Sequence, residues 1–357
     1  MILMDSATLN KYDSSGMHKI YDRWPELARV SYESKIDCVD FPDIDHIVFA
    51  GMGGSGAIGD IFSSILSKTS IHVSVVKGYV LPKTVDSKTL VVTTSISGNT
   101  AETLAILDSA FKMNCKIIAF SSGGRMQEYC SKNKIKHQSF QQIHSPRASF
   151  PIFLYGILKT LGNVIPMKKV DVLESIRSLD ELQKKINSSN LDNKNLALDI
   201  ASWISGTPLV YYPFGLQSAA IRFKNSLNEN AKIHVFLEEI SETCHNDIVS
   251  WERPANVRPI LIEGQEDHTT TKEKWQILKE YFGTKKIDYK EVFSVPGNIL
   301  TKLINLIYLL DYASIYLAVR ERVDPSPVRS IDFVKERQYS HGLELVNTKL
   351  SSNIQKI

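Results

Sequence analysis

The feature that most restricts the fold is a strand that runs into a hydroxyl-rich loop and then into a helix. The apolar run Thr89–Val92 has the pattern of a buried strand, and residues 101–107 have that of a helix. The loop between them, Thr93–Thr100, reads Thr-Thr-Ser-Ile-Ser-Gly-Asn-Thr. The dipole and free N–H groups of a helix start stabilise an anion. This stretch alone therefore predicts a phosphate site or, equally well, a Ser/Thr-rich helix cap.

A glycine-rich loop follows an earlier strand pattern. The run His46–Ala50 leads into Gly51–Asp60, and an apolar helix is predicted from Ile61. The spacing fits the GxGxxG loop of dinucleotide enzymes, but such a site also needs an acidic residue at the end of the next strand. Here that strand ends in Val-Lys-Gly at residues 76–78. The glycines therefore favour close approach to a small anion, with Ser55 as a polar contact.

The hydroxyl-rich loop contains no Lys or Arg, so it offers no cationic side chain to a bound anion. This composition suits a phosphate that is held as a handle, because a transferred phosphoryl group calls for a Gly-Lys-Ser/Thr motif and a metal ion.

Strands and helices alternate along the chain. Besides the two strands above, strands are predicted at 71–76, 116–120, 136–140, 209–212, 233–236, 259–262 and 289–292. This alternation predicts doubly wound parallel sheets, and its repetition predicts an internal duplication. In such sheets ligands bind at the carboxyl ends of the strands, where both loops lie. The predicted fold is therefore α/β, with two tandem doubly wound parallel-sheet domains.

A length of 357 residues favours two domains over one. We predict a helical N-terminal segment plus a first domain over residues 1–165, with residues 1–45 wrapping that domain. We predict an exposed helical connection over residues 166–195, where the composition turns polar, and a second domain with a C-terminal helix over residues 196–357.

Composition excludes several classes of protein. The net charge of +3, with no Lys/Arg cluster among aromatic residues, disfavours a nucleic-acid partner. The apolar stretch 299–319 carries Lys302, Asn305 and Asp311 on one face, which predicts a core helix rather than a membrane span. The four cysteines lack CxxC spacing and predict reduced thiols in a cytoplasmic protein. The nine histidines lack HxH or HxxxH spacing, so no metal site is predicted.

The two loops, at 51–55 and 95–100, together resemble those of the sugar-phosphate-isomerase (SIS) domain. Further stretches narrow the resemblance to the bifunctional phosphoglucose/phosphomannose isomerases found chiefly in archaea: Pro146–Ser149, Asn228–Lys232, His245–Trp251, and Val323–Pro325 with Lys335 after it. The resemblance runs from about Tyr12 to Arg337. It departs at Asp247 and Ser250, where the family often has Glu and Gly, and in extra length at 167–195 and after Arg337.

The resemblance implies two tandem SIS-type domains and an aldose–ketose isomerase. Such an enzyme interconverts glucose 6-phosphate and mannose 6-phosphate with fructose 6-phosphate through a cis-enediol, without metal or other cofactor. The planar enediol has lost the C2 configuration, so one base can serve both epimers. The resemblance also implies a homodimer.

Roles for individual residues come from the same resemblance. Glu229 would shuttle the proton between C1 and C2, and His245, supplied by the second subunit, would assist ring opening. Arg147 would stabilise the enediolate, and Lys335 would assist at the ring oxygen. Phosphate contacts fall to Gly53, Gly54, Ser55, Ser95, Ser97 and Thr100. Without the resemblance, each charged residue among these reads as an ordinary surface charge.

Three alternatives differ in testable ways. A phosphosugar-binding regulator with the SIS fold needs the two loops but not Glu229, His245 or Lys335. The isomerase half of a glucosamine-phosphate synthase would follow a glutaminase with a cysteine after the initiator methionine, whereas this chain begins Met-Ile-Leu. A zinc-dependent mannose-phosphate isomerase of the cupin type would need clustered histidines.

Overall fold

The computed structural model describes residues 4–340. Within that range the chain forms two compact units, each built on one parallel sheet. Residues 26–167 and 327–340 form the first-sheet unit, and residues 4–25 and 168–326 form the second-sheet unit. This grouping by contacts differs from the boundaries 1–165, 166–195 and 196–357, which follow the sequence repeat and stay a prediction. The tail 341–357, which includes most of the predicted extra length after Arg337, lies outside the described residues.

Helices account for much of the described chain. In chain order the α-helices of residues 4–340 are α1 Ser6–Tyr12, α2 Met17–Asp22, α3 Trp24–Tyr32, α4 Gly53–Leu66, α5 Ala101–Lys112, α6 Gly124–Asn133, α7 Phe150–Thr160, α8 Lys169–Ile186, α9 Leu196–Trp203, α10 Gln217–Ser226, α11 Ile240–Thr243, α12 Thr269–Lys285, α13 Ile299–Arg320 and α14 Arg329–Ser340. A π-helical turn spans Leu227–Ala231, and 3₁₀ turns span Phe214–Leu216 and Asp247–Glu252.

The first sheet has five parallel strands in the order β2-β1-β3-β4-β5. The strands are β1 His46–Ala50, β2 His72–Val76, β3 Thr89–Ser95, β4 Lys116–Ser121 and β5 Lys136–Ser139. Every residue of β1 and β3 is buried, as expected for central strands that are covered by helices on both faces. All five strands were predicted from the sequence.

The glycine-rich stretch is more helical than predicted. Helix α4 begins at Gly53, so the expectation of a loop to Asp60 and a helix from Ile61 was wrong. The glycines serve packing: a Cβ on Gly59 would lie 3.0 Å from Phe49 Cβ, and one on Gly56 would lie 2.8 Å from Gly51 O. The helix therefore starts almost directly after β1 and packs close to the sheet.

The second sheet has four parallel strands in the order β7-β6-β8-β9. They are β6 Thr207–Tyr212, β7 Phe236–Glu239, β8 Val257–Glu263 and β9 Lys290–Phe293. The order repeats that of the first four strands of the first sheet, which confirms the predicted duplication. The strand predicted at 233–236 lies three residues later, because the π turn and a left-handed residue at Lys232 occupy the preceding backbone.

Helix α13 forms the core of the second-sheet unit and contacts α8, α9 and α10. The most apolar 18-residue window of α13 is long and apolar enough to cross a membrane, yet 94% of that window is buried in the protein. No other helix among the described residues meets that criterion. A helix so deeply covered by protein matches the core helix predicted from the sequence.

Two expectations about the surroundings of α13 were wrong. Helix α8 was expected to be exposed, but Val172, Ile176 and Leu179 on one of its faces are buried. Residues 4–25 were expected to wrap the first domain, but they belong to the second-sheet unit. There Tyr308 donates a hydrogen bond to the carbonyl oxygen of Tyr21 at 2.7 Å.

Candidate active site

The loops after β1 and β3 leave the same edge of the first sheet. Ala50 pairs with Thr93, so both strands end side by side. From this pair the chain continues to β2 on one side and to β4 on the other. Such a reversal of strand order opens a crevice between the two loops, where doubly wound sheets bind their ligands. The two stretches singled out in the sequence thus meet at this crevice.

Glycines allow the loops to approach closely. A Cβ on Gly51 would lie 2.9 Å from the carbonyl oxygen of Thr94, at the end of the neighbouring strand. Gly98 has a φ of 72° and lies against the backbone of Gly123, where a Cβ would overlap the carbonyl oxygen. Only glycine suits both the left-handed backbone and this contact.

Hydroxyl groups tie the crevice together. The Ile96 N–H donates to Ser55 Oγ at 3.2 Å, which joins the glycine-rich loop to the hydroxyl-rich loop. Ser95 Oγ donates to Thr100 Oγ1 at 2.9 Å and accepts from the Thr100 N–H at 3.4 Å. The Asn99 N–H donates to Ser97 Oγ at 3.3 Å. Ser95 is fully buried, whereas Ser97 and Thr100 are partly exposed.

Two helices begin at this crevice without a side-chain cap. The residue before α4 is Met52 and the residue before α5 is Thr100, and neither side chain bonds the first-turn N–H groups. Gly53 is exposed and Gly54 partly exposed at the start of α4. Uncapped N–H groups and two helix dipoles attract an anion. The crevice can therefore hold a phosphate group without a cationic side chain in either loop.

The loop that follows β8 corresponds by strand order to the loop after β3, but it is acidic. From the last residue of β8 the chain reads Glu-Gly-Gln-Glu-Asp at residues 263–267. Asp267 Oδ2 accepts from the Gly264 N–H at 2.9 Å and from Trp275 Nε1 at 3.2 Å, so a carboxylate already bonds a backbone N–H of this loop. This acidic loop lacks the hydroxyl groups that make the loop after β3 suited to an anion.

Two predicted cationic residues lie in the first-sheet unit. Arg147 precedes α7 and is only 5% exposed, so it is not the solvated surface charge that its sequence alone suggests. Its loop is tied at Ser149, whose Oγ donates to the Ile143 carbonyl at 2.8 Å and accepts from the Ile143 N–H at 2.9 Å. Lys335 is exposed on α14.

The predicted base Glu229 lies in the second-sheet unit, inside the π turn Leu227–Ala231. π-helical turns are rare and are frequently found at functional sites. Glu229 itself is partly exposed, while the next residue, Asn230, is fully buried and donates to Ser314 Oγ at 2.8 Å. The turn thus holds one side chain inside the protein and leaves its neighbour reachable.

His245 is exposed just after α11, in the second-sheet unit. The backbone N–H of His245 donates to the carbonyl oxygen of Glu242 at 2.9 Å. The turn that follows is anchored by Tyr211, which donates to Asp247 Oδ2 at 2.6 Å and accepts from Trp251 Nε1 at 2.8 Å. Burial, together with the bond to Asp247, raises the pKa of Tyr211, so its hydroxyl stays protonated and keeps donating.

Sequence reasoning assigned no role to Tyr211 or to Lys232, whose contacts depend on residues distant in the chain. Asp247 was noted only because it replaces the more usual Glu. Among the described residues no group of three or more His, Cys, Asp and Glu side chains could hold a metal ion.

Two parallel sheets that share the order of their first four strands, the first with an anion crevice at its reversal point, are the architecture of a double SIS-domain protein. Residues 41–137 match the family model of the SIS domain, and residues 193–337 match that of the bacterial phospho-glucose isomerase C-terminal SIS domain. A bifunctional phosphoglucose/phosphomannose isomerase from Caldicellulosiruptor bescii is 32% identical over 326 residues, which are 88% of this chain and 96% of that protein. The chain belongs to the bifunctional phosphoglucose/phosphomannose isomerase family.

Further relatives extend the comparison. The protein of the same name from Aquifex aeolicus is 31% identical over 89% of this chain and 95% of its own length. A D-glucosamine-6-phosphate 4-epimerase from Sulfolobus acidocaldarius is 26% identical over 91% of this chain and 98% of its own length. The solved structure of a tagatose-6-phosphate ketose/aldose isomerase from Escherichia coli shares the fold with a TM-score of 0.69, at 13% identity, over 88% of this chain and 96% of that one.

Proposed function

We propose that this protein interconverts glucose 6-phosphate and mannose 6-phosphate with fructose 6-phosphate. Family membership supports an isomerase of phosphosugars. The observation that carries the proposal is the crevice between the β1 and β3 loops, where two uncapped helix N-termini and several hydroxyl groups converge. A site of this kind suits a phosphate that remains attached to the sugar throughout the reaction.

The phosphate is held by the N–H groups of Gly53 and Gly54 and by hydroxyl groups. Ser55 accepts from the Ile96 N–H, which leaves its own O–H to donate to a phosphate oxygen. Ser95 donates to Thr100, so Thr100 can in turn donate to the phosphate, together with Ser97. Ser95, being fully buried, acts through Thr100.

The chemistry requires a base that moves a proton between two neighbouring carbons. Glu229 removes a proton from C1 of open-chain fructose 6-phosphate, which gives the enediol, and returns the proton at C2. Return to one face of C2 gives glucose 6-phosphate, and return to the other face, after rotation about C2–C3, gives mannose 6-phosphate. Arg147 and Lys335 stabilise negative charge on the enediolate and ring oxygens, and His245 transfers the proton that ring opening requires.

We propose further that the protein acts as a homodimer in which His245 serves the site of the partner chain. Helix α14 supports a dimer, because Ile331, Phe333 and Val334 are 40–53% exposed on it. A helix of 12 residues is marginal in water unless an apolar face is covered. A second copy of this chain would provide that cover.

Mixing two inactive variants tests the shared site. A Glu229→Gln chain and a His245→Ala chain, unfolded and refolded together, should regain up to about a quarter of the wild-type kcat, because each hybrid dimer has one intact site. Each variant refolded alone is the control. If the mixture stays as inactive as its components, His245 does not act across the dimer.

We place the protein in the cytoplasm, where the four cysteines, Cys38, Cys115, Cys130 and Cys244, which are all free thiols, would stay reduced. We propose no metal and no other cofactor, because a carboxylate base and fixed cations supply all that an enediol mechanism needs.

The proposed function is tested by giving fructose 6-phosphate to purified protein that has been treated with a chelator. Formation of both glucose 6-phosphate and mannose 6-phosphate is expected. A parallel sample receives glucosamine 6-phosphate, since one relative is named as its 4-epimerase. Turnover of that sugar alone would reassign the chain, and binding without turnover would make it a phosphosugar-binding regulator.

A further inference from the structure

The π turn that carries Glu229 is closed by a residue with left-handed backbone. The residue that follows the turn is Lys232, which has a φ of 58° and a ψ of 37°, in the left-handed region. The Lys232 N–H closes the turn on the carbonyl oxygen of Leu227. Left-handed backbone costs a lysine more than a glycine, but Lys134 and Lys286 close α6 and α12 in the same conformation, so what distinguishes Lys232 is the contacts of its side chain.

The side chain of Lys232 folds back over the turn. Its Nζ lies 2.7 Å from the carbonyl oxygen of Glu229 and 3.2 Å from that of Asn230. It also lies 2.9 Å from the carbonyl oxygen of Asp324 and 3.3 Å from that of Pro325. One ammonium group therefore joins the backbone of the π turn to the loop that follows α13.

The two segments that Lys232 joins, the π turn and the loop after α13, each make further hydrogen bonds. On the inner side of the turn, Asn230 bonds Ser314 on α13 at 2.8 Å. In the loop, Asp324 Oδ1 accepts from the Ser326 N–H at 2.9 Å, and the Val323 N–H bonds the Ala318 carbonyl at 2.8 Å. Lys232 thus connects the outer side of the turn to a loop that is itself anchored to α13.

This connection matters for catalysis because it fixes the backbone that carries Glu229. Lys232 binds the carbonyl oxygen of Glu229 itself, and the side chain of the next residue, Asn230, bonds Ser314, so the backbone at Glu229 is fixed by the loop after α13 and by α13. Proton transfer between adjacent carbons requires the base to be placed to within a fraction of an ångström, and a displacement of 1 Å can cost about 10²-fold in rate. The backbone that carries a base is therefore part of the machinery that determines kcat.

We propose that Lys232 is a positioning residue that holds the π turn in the geometry that Glu229 needs for proton transfer. This inference rests on the proposed function, because Glu229 is the base in it. Lys232 acts through the backbone carbonyl groups of Glu229, Asn230, Asp324 and Pro325 and does not touch the substrate.

The test compares Lys232→Met with a matched control, Lys286→Met. Lys286 closes α12 in the same left-handed conformation, with a φ of 56° and a ψ of 40°, so the control shares the backbone cost of the change. Lys232→Met is expected to lower kcat for fructose 6-phosphate about 10- to 100-fold with KM within about threefold of wild type. Lys286→Met is expected to keep wild-type kcat and KM.

A second variant keeps the proposal testable if Lys232→Met fails to fold. Asparagine adopts the left-handed conformation readily but is too short to reach the Asp324 and Pro325 carbonyl groups, so Lys232→Asn should show the same loss of kcat. Lys232→Arg, which keeps the charge and the reach, should recover part of the rate. A kcat within twofold of wild type in Lys232→Met or Lys232→Asn overturns the proposal.

An isotope measurement separates positioning from general loosening of the fold. In deuterated water a well-placed base returns part of the proton it removed, whereas a displaced base loses more of it to solvent. Lys232→Met should therefore incorporate more deuterium per turnover than wild type, and an unchanged ratio contradicts the positioning role. If wild-type protein does not isomerise fructose 6-phosphate at all, the proposed function fails instead.

Discussion

Glu229→Gln is expected to lower kcat for fructose 6-phosphate about 10²- to 10⁴-fold, with little change in KM. The amide of glutamine has the shape of the carboxylate but cannot accept and return a proton at neutral pH. Binding is expected to persist because the phosphate crevice lies in the loops after β1 and β3, which this substitution does not alter. Initial rates of glucose 6-phosphate and mannose 6-phosphate formation, measured separately over a range of fructose 6-phosphate, give both constants.

The matched control is Glu273→Gln, which neutralises an exposed glutamate on α12 and should leave kcat unchanged. Both products should be lost together in Glu229→Gln if one base serves both epimers. A variant that keeps more than a tenth of the wild-type kcat for either product would show that another group removes the proton.

Asp311→Asn is expected to lower the free energy of unfolding by about 3–5 kcal/mol. Asp311 lies fully buried on α13, where it accepts from Arg222 Nη2 at 2.6 Å, from Ser226 Oγ at 2.5 Å and from the Tyr21 hydroxyl at 3.1 Å. Burial alone would lower the pKa of Arg222, but the charge of Asp311 raises it. The amide would take away the charge that bonds the buried guanidinium directly.

Urea denaturation followed by tryptophan fluorescence measures the change in the free energy of unfolding. Asp288→Asn, at an exposed position of the same unit, is the control and should stay within about 0.5 kcal/mol of wild type. The Arg222→Met/Asp311→Leu double variant should recover much of the loss, because it removes both buried charges. A loss below about 1 kcal/mol in Asp311→Asn would mean that the pair contributes little.

Local patterns were sufficient to predict both sheets and the meeting of the two loops. A buried strand is a short run of apolar residues, and here each run ends at a loop rich in glycine or hydroxyl groups. The strands His46–Ala50 and Thr89–Ser95 could therefore be identified from the sequence. Parallel topology then brings their ends together without any further information. The site roles of individual residues, by contrast, stay predictions that the experiments above address.

The errors have a common physical cause, which is tertiary packing that the local sequence pattern does not show. Helix α4 starts at Gly53 because its glycines pack against β1, which the local pattern of a glycine-rich loop does not reveal. Residues 4–25 join the second-sheet unit through hydrogen bonds such as that from Tyr308 to Tyr21, some 287 positions away. The role inferred for Lys232 depends in the same way on a loop 92 residues further along.

Mutual competition between glucose 6-phosphate and mannose 6-phosphate tests the central claim, that one site and one base perform both isomerisations. Chelator-treated wild-type protein would be assayed for fructose 6-phosphate formation from each sugar, alone and in mixtures. The account predicts that each sugar inhibits the reaction of the other competitively, with an inhibition constant equal to its own KM. Rates that simply add in the mixture, or the absence of one activity altogether, would contradict it.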